Sequence, residues 1–158
     1  MESANIRIFA SDLDGTLLGQ DEATTQFKLL WEQIPAAERP LLCYNTGRLL
    51  DDVLHLVAMG RLPQPDYIIS GVGTSVYDAA TGELLKKFTE ILEEGWDLDR
   101  VEQVLDQIDL PLQKQPHHFQ NAYKSSWFFD DASAEMLEMM RSALEAANLE
   151  HHLVYSSA

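Results

Sequence analysis

Two kinds of apolar pattern alternate along the first half of the chain. Short, mainly apolar runs at Ile6–Ala10, Leu41–Tyr44 and Tyr67–Ile69 have the length and composition of buried strands. Between them, apolar residues recur three or four positions apart, first over Phe27–Ile34 and then over Leu50–Val57, as on one face of a helix. Strands that alternate with helices at this spacing predict right-handed β-α-β units and a parallel sheet.

The ends of these elements carry their own signals. A threonine can cap a helix through its side-chain oxygen, so we expect Thr24 or Thr25 to begin the first helix. Farther along, Ser75–Tyr77 and Leu84–Phe88 flank the turn residues Thr81-Gly82, which predicts a β-hairpin.

The second half of the chain has a different character. Helical periodicity extends from Leu98 to Ile108 and again over Ser133–Ala147, whereas Asn121–Phe129 and Leu153–Tyr155 are typical of strands. We therefore expect an α/β protein in two parts, with one domain at 1–80 and a second, smaller α+β lobe at 81–158.

Composition narrows the class of protein. The hydrophobic content of 46% is ordinary for a globular chain, and no apolar run approaches the length of a membrane helix. The start of the sequence lacks the pattern of a secretory signal, and the single cysteine, Cys43, cannot form an internal disulfide. These features favour a cytoplasmic protein.

The net charge of −15 excludes two classes of partner. Because neither half of the chain has a basic stripe, we expect neither nucleic acid nor an anionic membrane surface to bind. The same acidity would repel a phosphate ester, so any phosphate site must be local, built from a metal ion, backbone N–H groups and a few cations.

Two aspartates follow the first predicted strand, in the sequence Asp12-Leu13-Asp14-Gly15-Thr16. Open α/β sheets place ligands at the carboxyl ends of their strands, and residues two apart in an extended segment project to the same side. Paired carboxylates suit a hard cation such as Mg²⁺. One aspartate could act as a nucleophile on a phosphoester, and the second as an acid and then a base.

A second polar group follows the second predicted strand, at Asn45-Thr46-Gly47-Arg48. The hydroxyl of Thr46 and the N–H of Gly47 could both donate to a phosphoryl oxygen. Arg48 could hold a phosphate or a carboxylate through two bonds, or pair with Asp51 or Asp52 on the following helix.

These motifs resemble those of the haloacid dehalogenase superfamily, in the class with a large cap after the second motif, and most closely its sucrose-phosphate phosphatase group. The matching segments are Ser11–Leu18, Thr46–Arg48, Gly71–Tyr77 and Gln120–Ser126. The resemblance implies part of a Rossmann-like parallel sheet at 1–80 with a cap at 81–158, and hydrolysis of a small-molecule sugar phosphate with Mg²⁺ through an aspartyl-phosphate.

The resemblance also implies roles for individual residues. Asp12 would be the nucleophile and a metal ligand, Asp14 the acid/base that also offers its backbone carbonyl to the metal, and Thr46 a ligand of the transferring phosphoryl group. The implied substrate-binding residues are Gly47, Arg48, Gly73, Thr74, Lys124 and Ser126.

The sequence departs from this family pattern in one respect. The family's later lysine and later acidic motif, which follow the cap, have no counterpart here, since Asp130-Asp131 precede a predicted helix start. The sequence also stops at Ala158 directly after an apolar run, so we expect it to be a truncated chain. The alternative to an enzyme is therefore a non-catalytic sugar-phosphate-binding or regulatory module. A mutase is a third interpretation, but the interval between Asp14 and Thr46 holds one helix and no cap.

Overall fold

The computed structural model describes residues 6–156, and these form two compact units that divide between Thr89 and Glu90. The predicted domain ranges of 1–80 and 81–158 differ from these units, and their assignment as core and cap stays a prediction. The predicted lack of a secretory signal concerns the first seven residues, of which 1–5 lie outside the described part.

The first unit is built on a five-stranded sheet with the order β1-β2-β3-β4-β5. The first three strands are parallel, with Ser11 opposite Tyr44 and Tyr44 opposite Ile68, and the last two are antiparallel. This confirms the predicted α/β class, the parallel core and the hairpin. The strands are β1 (Ile8–Ser11), β2 (Leu41–Asn45), β3 (Tyr67–Ser70), β4 (Ser75–Asp78) and β5 (Glu83–Leu84).

Helices α1 (Asp21–Gln33) and α2 (Leu50–Ala58) connect the parallel strands. The predicted cap at Thr24 or Thr25 is wrong, because α1 already begins at Asp21, where acidic residues in the first turn interact favourably with the helix dipole. Both threonines lie inside the helix and donate their hydroxyls to main-chain carbonyls.

The predicted second strand of the hairpin is also too long. Strand β5 ends at Leu84, and helix α3 (Lys86–Glu93) follows almost at once. The N–H groups of Phe88 and Thr89 both donate to the carbonyl of Leu85, which closes the first helical turn. Apolar residues three or four positions apart, including Phe88 and Ile91, favour a helix here over a strand.

A compact apolar core lies on the parallel sheet. Tyr44, Leu42 and Ile68 of the central strands are fully buried, and Tyr44 donates its hydroxyl to the carbonyl of Pro63 at 2.8 Å. Leu13 is also fully buried although its two neighbours are exposed acids. The core therefore fixes the direction of the segment that carries both carboxylates.

The second unit contains two helices, α4 (Leu98–Gln107) and α5 (Ala134–Ala146), capped by the side chains of Asp97 and Ser133. Both helices lie where the sequence predicted them. Strands β6 (Gln113–Lys114) and β7 (Trp127–Phe128) form a short antiparallel pair. The core of this unit consists of Val101, Leu105, Met140, Leu144 and Leu149.

One strand prediction in this unit is too long and another is wrong. Of the predicted strand Asn121–Phe129, only β7 is extended, because the side chain of Asn121 accepts the N–H of Tyr123 at 2.9 Å and stabilises a turn. Residues Leu153–Tyr155 belong to no strand within the described chain. Over residues 6–156 no helix combines the length and the apolar character that crossing a membrane requires.

Candidate active site

The candidate site consists of three loops at one edge of the sheet in the first unit. We call residues 12–19 the first loop, 46–49 the second and 71–74 the third; they follow β1, β2 and β3. Because these strands are parallel, their carboxyl ends and the loops that continue them lie along the same edge.

The first loop presents two exposed carboxylates, those of Asp12 and Asp14. Gly15 has a φ of 74°, a left-handed conformation that glycine adopts without strain. The bend is closed by a bond from the N–H of Gly15 to the carbonyl of Leu18 at 2.9 Å, and by one from the N–H of Leu18 to the carbonyl of Leu13 at 2.7 Å. The hydroxyl of Thr16 donates to Oδ2 of Asp12 at 3.3 Å, which limits where that carboxylate can point.

Arg48 of the second loop reaches across to the first loop and binds Asp14 through two hydrogen bonds. Its Nε donates to Oδ2 at 2.8 Å, and its Nη2 donates to Oδ1 at 2.7 Å. Hydrogen bonding to this carboxylate is the main reason why the pKa of Arg48 rises above its usual range. The predicted pairing of Arg48 with Asp51 or Asp52 is wrong within the described chain: Arg48 binds Asp14 on the first loop, and Asp52 adds only a weaker Coulombic attraction.

Thr46 is almost buried, with 4% of its surface exposed. Its N–H continues the sheet by donating to the carbonyl of Ile69 at 2.9 Å, and its hydroxyl oxygen accepts the N–H of Arg48 at 3.2 Å. In the described part of the chain the hydroxyl proton has no acceptor of its own, so it can be donated to an anion at this edge.

The third loop is bonded to the second through its backbone. The N–H of Gly71 donates to the carbonyl of Arg48 at 2.7 Å, and the N–H of Val72 to that of Thr46 at 3.3 Å. Positive φ angles occur in sequence at Gly71 (61°), Val72 (63°) and Gly73 (82°). This conformation is rare for a β-branched residue such as Val72, so the loop contains a strained position beside the second loop.

Lys124 and Ser126 lie in the second unit, on the segment that includes the tight turn at 121–124. Ser126 is nearly buried, and its hydroxyl donates to the carbonyl of Phe119 at 3.2 Å. Lys124 is half-buried, and burial lowers its pKa. Within residues 6–156 its ammonium forms no ion pair, although the sequence has 26 acidic residues.

Side-chain hydrogen bonds hold the turn that carries Lys124 and the residues next to it. Trp96 donates its indole N–H to the carbonyl of Ala122 at 2.7 Å, and Tyr123 donates its hydroxyl to Glu93 at 2.9 Å. The amide of Gln120 donates to the carbonyl of Ser126 at 2.8 Å and accepts its N–H at 2.7 Å. An unpaired cation on such a rigid turn is well placed to recognise a polar or anionic ligand.

Comparison with known proteins identifies the chain. The family described as sucrose-6F-phosphate phosphohydrolase matches residues 5–158. The chain belongs to this family. A mannosylfructose-phosphate phosphatase from Agrobacterium fabrum (strain C58 / ATCC 33970) is 41% identical over 152 residues, which are 96% of this chain and 61% of that protein. A glucosylglycerol-phosphate synthase from Pseudomonas anguilliseptica is 32% identical over 137 residues, which are 86% of this chain but 17% of the synthase.

Two solved structures have folds similar to that of this chain. The sucrose-phosphatase of Synechocystis sp. PCC6803, in complex with sucrose and phosphate, has a TM-score of 0.73 and 24% identity, with 89% of this chain and 57% of that chain covered. A haloacid dehalogenase-like hydrolase from Bacillus subtilis has a TM-score of 0.55 and 18% identity, with coverage of 90% and 55%. The predicted likeness to the sucrose-phosphate phosphatase group is confirmed by the family match, and the fold resembles that of a haloacid dehalogenase-like hydrolase, as expected. This chain spans about three fifths of the length of the phosphatase relative that it matches.

The predicted site residues of this family member fall into two groups. One group lies on the three loops of the first unit, and the other on the Lys124 segment of the second; their assigned roles stay predictions. Neither the ion pair of Arg48 with Asp14 nor the hydrogen bond of Thr16 to Asp12 was predicted from the sequence. The loop group consists of Asp12, Asp14, Thr46, Gly47, Arg48, Gly73 and Thr74.

The first loop fits Mg²⁺ in the chemistry of its donors. Asp12 offers an exposed carboxylate, and Mg²⁺ in proteins is commonly held by one or two carboxylates with water in the remaining positions. The side chain of Asp14 is bound by Arg48 on both oxygens, and its backbone carbonyl is a further oxygen that could bind a metal. No cluster of three or more histidine, cysteine or acidic side chains suited to a metal occurs within the described residues.

Proposed function

We propose that this protein is a Mg²⁺-dependent phosphatase that hydrolyses a sugar phosphate through an aspartyl-phosphate on Asp12. The observation that carries the proposal is the exposed pair Asp12 and Asp14 on a loop fixed at the carboxyl end of β1, with Thr46 on the neighbouring loop. Membership of the sucrose-6F-phosphate phosphohydrolase family supports the same chemistry.

The reaction divides into two displacements. A carboxylate oxygen of Asp12 attacks the phosphorus, the bond from phosphorus to the sugar oxygen breaks, and protonated Asp14 gives its proton to that oxygen. Water then attacks the phosphorus of the aspartyl-phosphate while Asp14 takes a proton from it. The phosphorus–oxygen bond to Asp12 breaks, which releases inorganic phosphate and restores the Asp12 carboxylate.

The second loop supplies donors for the transferring phosphoryl group. The hydroxyl of Thr46 and the N–H of Gly47 lie at the edge where parallel strands present their ligands. The carboxylate of Asp12 and the carbonyl of Asp14 would hold Mg²⁺, which supplies positive charge against the phosphoryl oxygens. Such a charge is needed because the protein as a whole carries a net charge of −15.

The substrate class is a small-molecule sugar phosphate in the cytoplasm. The matching phosphatase relative is named for mannosylfructose phosphate, and the family for sucrose-6F-phosphate; both are phosphorylated disaccharides. Lys124, unpaired on its rigid turn, suits the polar oxygens of such a substrate. Gly73, Thr74 and Ser126 complete the proposed set of substrate-binding residues.

A non-catalytic sugar-phosphate-binding module is the second candidate. It is favoured by one observation, namely that the described residues contain no third acidic group near Asp12 and Asp14 suited to complete a metal site. Such a module would bind a phosphorylated sugar at the same loops without turning it over.

Phosphate release with Mg²⁺ separates the two candidates. Sucrose 6F-phosphate and mannosylfructose phosphate are offered to the wild-type chain and to Asp12→Asn, with Asp109→Asn as a matched exposed control in the second unit. We expect release by the wild type and the control, and none by Asp12→Asn, since an amide cannot form the acyl phosphate. A folded wild type that binds either sugar phosphate without releasing phosphate would establish the non-catalytic module instead.

A further inference from the structure

Arg48 is bonded to all three loops of the candidate site. Its side chain binds Asp14 on the first loop, and its N–H donates to the hydroxyl of Thr46 on its own loop. Its carbonyl accepts the N–H of Gly71 on the third loop at 2.7 Å. The guanidinium therefore extends from a backbone whose N–H is bonded to Thr46 of the same loop and whose carbonyl is bonded to the third loop.

The pairing with Asp14 fixes the orientation of that carboxylate. A guanidinium fork that binds both carboxylate oxygens sets the plane of the carboxyl group as well as its position. Each oxygen has about two lone-pair sites, so one on each remains open after Arg48 has bound. A proton can therefore still move to or from Asp14, on the side away from the guanidinium.

Stability of the fold does not account for this ion pair. The side chains of Arg48 and Asp14 are 37% and 56% exposed, and exposed pairs contribute about 0–1 kcal/mol. Arg61 and Asp21 form another exposed pair in the same unit, and neither residue belongs to the three loops. That pair offers a matched comparison for any effect of removing an arginine from a surface ion pair.

We propose that Arg48 is a positioning residue, which acts on the reaction by holding the carboxyl of Asp14 where the leaving oxygen needs a proton. The proposal rests on the proposed phosphatase function and assigns the guanidinium to Asp14 and not to the substrate. It predicts that replacing Arg48 slows the reaction only when the leaving group requires a proton.

Two substrates whose leaving groups differ in their need for a proton test this prediction. A sugar phosphate leaves as an alkoxide that must be protonated, whereas p-nitrophenyl phosphate leaves as a stable phenolate. For Arg48→Gln we expect kcat for sucrose 6F-phosphate or mannosylfructose phosphate, whichever the wild type turns over faster, to fall roughly 10- to 100-fold with little change in KM. The first-turnover burst of p-nitrophenolate should fall less than about threefold.

Three further variants sharpen the result. Asp14→Asn should show the same dependence on the leaving group, and the double variant Asp14→Asn with Arg48→Gln should be no slower than Asp14→Asn alone, since both changes remove one function. Arg48→Lys should recover little of the kcat that Arg48→Gln loses, because an ammonium cannot make the two parallel bonds to Asp14. Arg61→Gln should behave as the wild type.

A measurement without turnover tests the pairing itself. In ¹⁵N-edited NMR spectra, the Nε–H of Arg48 should exchange slowly with solvent in the wild type and in Asp12→Asn, and rapidly in Asp14→Asn. Rapid exchange in the wild type would overturn the positioning role.

Kinetic outcomes separate this proposal from the proposed function. A wild type without Asp12-dependent turnover removes the phosphatase and the positioning role together. If turnover depends on Asp12, three results overturn the positioning role alone: Arg48→Gln raises KM while kcat is unchanged, both substrates lose rate equally, or the losses of the two single variants multiply in the double variant. The first of these would assign Arg48 to the substrate.

Discussion

The hydroxyl of Thr24 donates to the main-chain carbonyl of Leu17 and so connects helix α1 to the loop that carries both carboxylates. Thr24 is 3% exposed, and its hydroxyl also lies 3.1 Å from the carbonyl of Gln20. The helix that follows the first loop is therefore bonded to it by a buried side chain as well as by the continuous backbone.

Replacing Thr24 with valine should destabilise the first unit. The change keeps the shape of the side chain but removes the donor to the carbonyl of Leu17, which costs about 1–3 kcal/mol. The carbonyl of Gln20 keeps the backbone N–H of Thr24 at 3.0 Å. Thr25→Val is the matched control, because Thr25 is exposed and its hydroxyl bonds only to the carbonyl of Asp21 within its own helix. Urea unfolding followed by circular dichroism measures both, and equal losses for the two variants would contradict the connecting role of Thr24.

The bend at Gly15 gives a second prediction. A methyl group at Gly15 would meet nothing within 4 Å, so any cost of Gly15→Ala arises from the φ of 74° and not from a clash. An alanine in that conformation costs about 1–2 kcal/mol. At Gly47, where φ is ordinary, the methyl would lie 3.7 Å from a side-chain carbon of Val72, a normal contact. Gly47→Ala should therefore change the free energy of unfolding by less than about 0.5 kcal/mol. If Gly15→Ala and Gly47→Ala lose similar amounts of unfolding free energy, a side chain at Gly15 does not strain the bend.

Replacing Val72, unlike replacing Gly15, is expected to stabilise the protein. Its φ of 63° is unfavourable for a β-branched side chain that is 49% exposed and so gains little from packing. Asparagine tolerates the left-handed region better, so Val72→Asn should stabilise the protein by roughly 0.5–1 kcal/mol. Val154→Asn is the control, since Val154 is 57% exposed and has no positive φ. A thermal or urea midpoint that falls for Val72→Asn would contradict the assignment of strain.

The first unit could be predicted well from sequence because its parallel strands are buried. Leu42 and Tyr44 are fully buried in the middle of the sheet, and such a strand forms an apolar run that is easily recognised. The errors lie where local chemistry competes with periodicity. The apolar spacing around Leu85 is compatible with both a strand and a helix, and the structure has a helix there. The aromatic composition after Asn121 predicts a strand, but the side chain of Asn121 accepts the N–H of Tyr123 and stabilises a turn.

The position of the two acids at a strand end was predictable for the same reason, while the roles assigned to them stay predictions. Two acids on either side of Leu13 at a strand end point away from the core because Leu13 points into it. The partner of Arg48 was not predictable, since Asp14 lies 34 positions away whereas Asp51 and Asp52 are close in sequence. Only the register of β1 against β2 brings the first and second loops together.

Lys124 supplies the last prediction, which concerns pH. Burial lowers the pKa of Lys124 below its value of 10.5 in an unfolded chain. The unfolded chain therefore binds more protons in the interval between the lowered pKa and 10.5, so this residue's contribution to stability rises with pH there. Below that interval the folded protein carries the full cost of a charged, half-buried lysine.

Lys124→Met should accordingly be more stable than the wild type at pH 7, and the advantage should shrink as the pH approaches 10.5. Lys114→Met is the control, because Lys114 forms an ion pair with Glu102 and has no such cost to relieve. Unfolding by urea at several pH values measures the difference for each variant. If Lys124 is kept for ligand binding, the more stable Lys124→Met should also bind sugar phosphate more weakly, whereas Lys114→Met should not. A Lys124→Met protein that gains no stability at pH 7 would show that the ammonium reaches solvent and carries no burial cost.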